Sequence, residues 1–84
     1  MTEPTIPVIR PEIRLLISNE LAMASDKYPP FKSDHEGYAV ILEELDEMWD
    51  AIKGNDASGA RAEAVQVAAM AIRFIQDSMA RARR

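Results

Sequence analysis

The chain has no cysteine. That excludes disulfide staples and cysteine-based zinc sites. A single histidine argues against a His-rich metal site as well. Basic residues are in the minority, ten Lys and Arg against fourteen Asp and Glu, for a formal charge of −4. Nucleic acid is therefore not expected as a partner, because phosphate neutralisation needs clustered Lys and Arg. No apolar run approaches the roughly 20 residues of a membrane span, so no membrane partner is expected. The stretch MTEPTIPVIRPE lacks a charged segment leading into an apolar core. No secretory leader is expected from it, and the expected location is the cytoplasm. Strand-like alternation, internal repeats and low-complexity segments are also missing.

What is present is one domain of 84 residues. A domain this small buries a modest share of its surface and is marginal alone. Such scaffolds rely on disulfides, a metal or partner subunits. With disulfides excluded, oxygen ligands to a metal or oligomerisation remain.

Punctuation along the chain divides it into three helices. Residues 1–10, with Pro4 and Pro7 among β-branched residues, read as an extended lead-in. Pro11 suits the first position of a helix, where its missing N–H costs nothing. The first helix is predicted from about Pro11 to Asp26, with an apolar stripe of Ile13, Leu16, Ile17, Leu21, Met23 and Ala24. Pro29 and Pro30 end it, since a residue before proline is pushed out of the α region. Ser33 or Asp34 can cap the second helix, which ends near Gly54. Asn55, Asp56 or Ser58 can cap the third, which runs to about Arg81. Arg81, Arg83 and Arg84 are read as complements to its C-terminal dipole. Three helices on short connections define an all-α fold: a three-helix subunit assembling into an oligomeric helical bundle.

The faces of these helices carry the functional signal. At roughly 100° per residue, Tyr38, Ile41, Leu42, Leu45, Met48, Trp49 and Ile52 share one stripe of the second helix. Glu36, Glu43, Glu47 and Asp50 gather opposite, and Glu44 lies on the border. On the third helix only Gln66 and Arg73 are polar between Ala64 and Ile75. A helix apolar nearly all round is buried on most sides. Two short helices cannot surround it, which predicts self-association, as a dimer or tetramer, through this helix. Glu63 projects on the side of Met70 and Phe74, either as an N-terminal acid reaching solvent or as a carboxylate at a buried seam. Glu20 falls within the stripe of the first helix. It either pairs with Arg14 or Arg73 at an interface, the reading favoured here, or points into an acidic site.

Residues 34–50 hold seven acids and no Lys or Arg. Repulsion between acids one turn apart would sum to about 1 kcal/mol over several pairs. A bound divalent cation reverses the sign of that contribution. Carboxylates without His or Cys suit Mg²⁺ or Mn²⁺.

EELDE (Glu43, Glu44, Leu45, Asp46, Glu47), followed after a loop by EAVQ (Glu63 to Gln66), resembles a known signature. It is the E-E-x-x-E … E-x-x-D of the MazG-like nucleotide pyrophosphohydrolases, within the all-α NTP pyrophosphatase superfamily. HEGYAVILEELDEMWDAIK and EAVQVAAMAIRFIQD look like a short, phage- or prophage-type branch of it. The resemblance spans about residues 25–78. It implies assembly into dimers or tetramers and Mg²⁺-dependent cleavage of a nucleoside triphosphate between its α- and β-phosphates, releasing pyrophosphate. Position by position, it implies Glu44, Glu47 and Glu63 as metal ligands.

Gln66 stands where the family has Asp, and it offers a neutral carbonyl oxygen in the fourth ligand position. Asp77 is too far along the helix to replace it, at about 21 Å from residue 63 by 1.5 Å per residue. Asp50, one turn beyond Glu47, can. Glu43 or Asp50 is the candidate base for the attacking water. Lys27, Lys32 and Arg73 are the candidate cations for the phosphates, and Tyr38, Trp49 or Phe31 can stack on a base, although each is expected in the core. The substitution at Gln66 also favours a non-catalytic relative that binds nucleotide or a protein partner.

Overall fold

The computed structural model describes residues 8–83. Those residues form three α-helices and no strand: α1 (Pro11–Lys27), α2 (Asp34–Lys53) and α3 (Ala57–Ala82). Pro4, Pro7 and Arg84 of the sequence reading lie outside the described residues.

Each boundary has a local cause. Pro11 opens α1 without a side-chain cap. Tyr28, held extended at φ −123° and ψ 145° before Pro29, closes it. The Ser33 hydroxyl accepts from the Glu36 N–H at 3.1 Å and starts α2. The Asp56 carboxylate accepts from the Gly59 N–H at 2.8 Å and starts α3. The left-handed residue between α2 and α3 is Asn55, at φ 57°, and Gly54 stays at φ −82°. Asparagine tolerates this region better than most residues, so the turn closes without a glycine there.

The three-residue connection folds α2 back antiparallel to α3. Gly37 therefore meets Phe74 near one end of the pair, and Glu47 meets Glu63 near the other. The other helix, α1, packs on α3, and its backbone stays apart from that of α2. Ile17, Leu21 and Ala24 from α1, with Val40 and Ile41 from α2, close on a buried centre of Phe31, Ala69 and Met70.

This layout leaves much of the predicted core outside. Tyr38 and Trp49, expected to be buried, are 64% and 55% exposed. Leu42, Leu45 and Ile52 of the same stripe are also exposed, as are Ile13, Leu16 and Met23 of α1. On α3 only Ala69, Met70 and Arg73 are buried. The body measures 48 × 40 × 20 Å. Its short dimension is about two helix diameters. The radius of gyration is 15.1 Å, against about 12 Å for a globule of this length.

Gly37 sets the α2–α3 approach. A Cβ there would lie 2.5 Å from Phe74 Cδ2 and 3.1 Å from Phe31 Cδ2. Alanine gains about 1 kcal/mol of helix propensity over glycine, but overpacking costs about 1–3 kcal/mol. Gly37→Ala is expected to destabilise by about 1 kcal/mol net, and Gly37→Leu by more, in urea unfolding. A Gly37→Ala protein more stable than wild type would mean that the Phe74 ring yields freely.

Candidate metal centre

Two helices bring three carboxylates together. Glu44 and Glu47 are one turn apart on α2, and Glu63 comes from the second turn of α3 across the antiparallel pair. One carboxylate oxygen of each lies within 4.8 Å of the others. Glu44 and Glu63 are half-buried at the helix seam, and Glu47 reaches solvent. Glu63 is thus a seam carboxylate and not merely a solvated N-terminal acid. Its Oε2 is buried and has no hydrogen-bond partner. Leaving a buried carboxylate oxygen unpartnered costs about 1–3 kcal/mol or more.

The electrostatics follow from the crowding. Burial pushes the Glu44 carboxyl up to about 7 from its ordinary 4.5, helped by a hydrogen bond with Glu63 and by the charges of Glu47 and Glu63. Glu47 is raised as well, by partial desolvation and then by the Glu63 charge. Three oxygen donors with no nitrogen or sulfur suit a hard divalent cation. The orphaned Glu63 oxygen is the kind of atom that such a cation satisfies.

The Glu44 shift has a stability consequence. Its folded-state pKa lies above the unfolded one, so the folded protein binds the extra proton. The stability this contributes is complete below about pH 4.5 and is lost as pH rises through about 7. The full shift corresponds to about 3 kcal/mol, and partial solvent exposure reduces it to about 1–2 kcal/mol. In metal-free buffer the melting temperature is expected to fall between about pH 5 and pH 8. Glu44→Gln should flatten that slope. A flat wild-type profile would remove the proposed crowding.

Beside the cluster, α1 and α2 diverge over α3 and leave a cleft of about 490 Å³. That is the size of ordinary small-molecule sites. Glu20, Met23, Lys27 and Tyr28 form one wall, and Glu36, Val40, Glu43 and Glu44 form the other. Gln66, Met70 and Arg73 form the floor. Glu44 thus belongs to both the cluster and the cleft. Glu20 lines the cleft, as the acidic-site reading expects, and makes no ion pair among the described residues of the single chain.

The remaining sequence candidates separate. Glu43 lies on the cleft wall, whereas Asp50 is exposed and pairs with Lys53 at 3.3 Å. Lys27 lines the cleft, with its ammonium 5.3 Å from the Tyr28 ring centre. Lys32 is exposed in the α1–α2 connection and does not line the cleft. Gln66 sits on the floor of the cleft that Glu44 also lines, and it is half-buried.

Arg73 is 5% exposed and engaged with the protein itself. It donates to the Pro29 carbonyl, lies 4.0 Å from the Asp77 carboxylate, and stacks 4.3 Å from the Phe31 ring centre. Asp77 in turn accepts from the Phe31 N–H at 2.9 Å. Arg81 donates to the Phe31 carbonyl and to Asp34, so it is not simply a dipole complement at the helix end. These three residues recur every four positions on one face of α3 and clasp the Tyr28–Asp34 connection. The i, i+4, i+8 spacing is visible in the sequence, but periodicity along α3 does not say which connection faces it.

Comparison with family models, with curated proteins and with solved structures finds no match to this chain.

Proposed function

We propose that the protein is a metal-dependent nucleoside triphosphate pyrophosphohydrolase, releasing a nucleoside monophosphate or deoxynucleoside monophosphate and pyrophosphate. The observation that carries this reading is the convergence of Glu44, Glu47 and Glu63, with an unpartnered buried Glu63 oxygen, at the edge of a ligand-sized cleft. The likeness of EELDE and EAVQ to the MazG-like signature supports the same reaction. Self-association through α3 and a cytoplasmic location belong to the proposal.

Glu44, Glu47 and Glu63 would hold Mg²⁺ or Mn²⁺, which supplies charge neutralisation and Lewis acidity toward the triphosphate. The chain's own part is to position and to move a proton. Glu43, on the cleft wall beside Glu44, accepts a proton from the attacking water. The water oxygen bonds to the α-phosphorus, the bond between the α-phosphorus and the bridging oxygen breaks, and pyrophosphate leaves with that oxygen and the electron pair. Lys27 is the cation free to meet the phosphates. Tyr28 offers the cleft an aromatic face.

Pyrophosphate release should be measured with each NTP and dNTP, with Mg²⁺ or Mn²⁺. Turnover of at least one nucleotide, lost on chelation, is expected. No turnover with any of them would eliminate the hydrolase. A second reading, a non-catalytic binder of nucleotide or of a protein partner, is favoured by Gln66 alone. Calorimetry with a non-hydrolysable triphosphate separates the two.

A further inference from the structure

Beside the metal centre, α3 presents a neutral side chain where a fourth acid would fit. Gln66 follows Glu63 by three residues, so the two project from neighbouring turns on one side of the helix. Gln66 is half-buried and floors the cleft whose wall carries Glu44. Its amide makes no hydrogen bond among the described residues. The number of charged ligands tunes how tightly an oxygen site holds a hard dication, and an amide adds no charge.

We infer that the centre takes one divalent ion per chain, not two, and that the neutral Gln66 holds the number at one. The inference rests on the metal centre proposed above and sets its occupancy.

Three observations carry it. The first is size. One oxygen from each of Glu44, Glu47 and Glu63 lies within 4.8 Å of the others. Oxygens around a single Mg²⁺ stand about 3–4 Å apart, given a metal–oxygen distance of about 2.1 Å. A small inward movement of the three carboxylates therefore closes them on one ion.

The second is charge. The two ions of a paired site lie about 3.5–4 Å apart, and their repulsion grows with the product of their charges. Three carboxylates bring three negative charges to the seam. One dication leaves a single negative charge, and two would leave a net positive charge at a half-buried place. A charged side chain at position 66 would cancel that excess, whereas glutamine does not.

The third is that no other acid joins. Among the described residues, Glu44, Glu47 and Glu63 form the one group of three acids or histidines this close together. Glu20, Glu36 and Glu43 line the cleft without completing a second group. Asp50 is turned to Lys53. Glu63 Oε2 is also the one buried side-chain oxygen without a partner among the described residues, so a single ion satisfies what the fold leaves open.

Mn²⁺ should be titrated into the full chain without nucleotide, by calorimetry and by the paramagnetic resonance signal of the free ion. Wild type is expected to bind one equivalent per chain. Glu63→Gln should weaken that binding by about 100-fold or more, which assigns the ion to this centre. Gln66→Glu keeps the shape of the side chain and adds the missing charge. It should bind two equivalents, with the spin–spin broadening of two neighbouring Mn²⁺ ions. Gln66→Asp places the same charge on a shorter side chain and covers the case in which the glutamate variant fails to fold. Gln66→Ala removes the amide without adding charge and should still bind one equivalent. Without metal, Gln66→Glu should melt below wild type, because a fourth acid adds to the repulsion at the seam.

Two wild-type equivalents, both weakened by Glu63→Gln, would overturn the inference and leave the metal centre standing. A folded acidic variant that stays at one equivalent overturns it as well, as does a Gln66→Ala protein that takes two. A wild type that binds no Mn²⁺ fails the metal centre itself, and the inference falls with it. One bound ion without pyrophosphate release would count against the hydrolase and leave the occupancy supported.

Discussion

Glu63→Gln is expected to lower pyrophosphate release by about 1000-fold or more while making the metal-free protein more stable. The two effects share one origin. Glu63 brings to the seam a carboxylate whose Oε2 is buried and unpartnered, close to Glu44 and Glu47. Without a cation, its charge repels both neighbours and raises the Glu44 carboxyl. A neutral amide removes that repulsion and can donate a hydrogen bond to Glu44, so the melting temperature without metal should rise. The same change removes one of three anionic ligands, so stabilisation by added Mg²⁺ should shrink with the activity. An unfolded variant would lose activity and stability together, and the opposite signs exclude that explanation. Wild-type turnover by Glu63→Gln would end the case for this centre. A metal-free protein that lost stability would show that Glu63 already has a favourable environment.

Arg73→Ala is expected to cost about 2–4 kcal/mol of folding stability. That is a large share of the roughly 5–15 kcal/mol that holds a domain together. The guanidinium bonds the Pro29 carbonyl, faces Asp77, and stacks on Phe31 inside the small buried centre. Its removal leaves a partly buried carbonyl and a carboxylate short of a partner and frees the connection that forms part of the cleft rim. Lysine has no planar fork and cannot stack in the same way, so Arg73→Lys should recover little of the loss. Urea unfolding of the two variants checks this. If Arg73 instead served the substrate phosphates, Arg73→Lys would keep wild-type stability and raise KM. That result would return Arg73 to the substrate contacts named from sequence.

Much of the local architecture was legible in the chain. Pro11, Pro29–Pro30 and the Gly54–Asp56 turn punctuate it so strongly that the helix bounds agree with the structure within about one or two residues. Glu44 and Glu63 were out of place by periodicity alone, and the fold brings them to one seam. These features are local: caps, prolines and a 3.6-residue period act through neighbours along the chain.

Other features depended on which elements cover which faces. Periodicity marks Tyr38 and Trp49 as apolar-face residues, but nothing in it says that α1 will pack on α3 and leave that face open. The same packing turns Glu20 toward the cleft and leaves Asp50 outside it. It commits Arg73, Asp77 and Arg81 to the connection they clasp. The partners of Arg73 and Arg81 in the α1–α2 connection lie more than 40 residues away along the chain, and only the tertiary arrangement brings them together. The sequence by itself determined three helices and where their acids stand; the packing of α1 and α2 on either side of α3 decided which of those acids share one small volume.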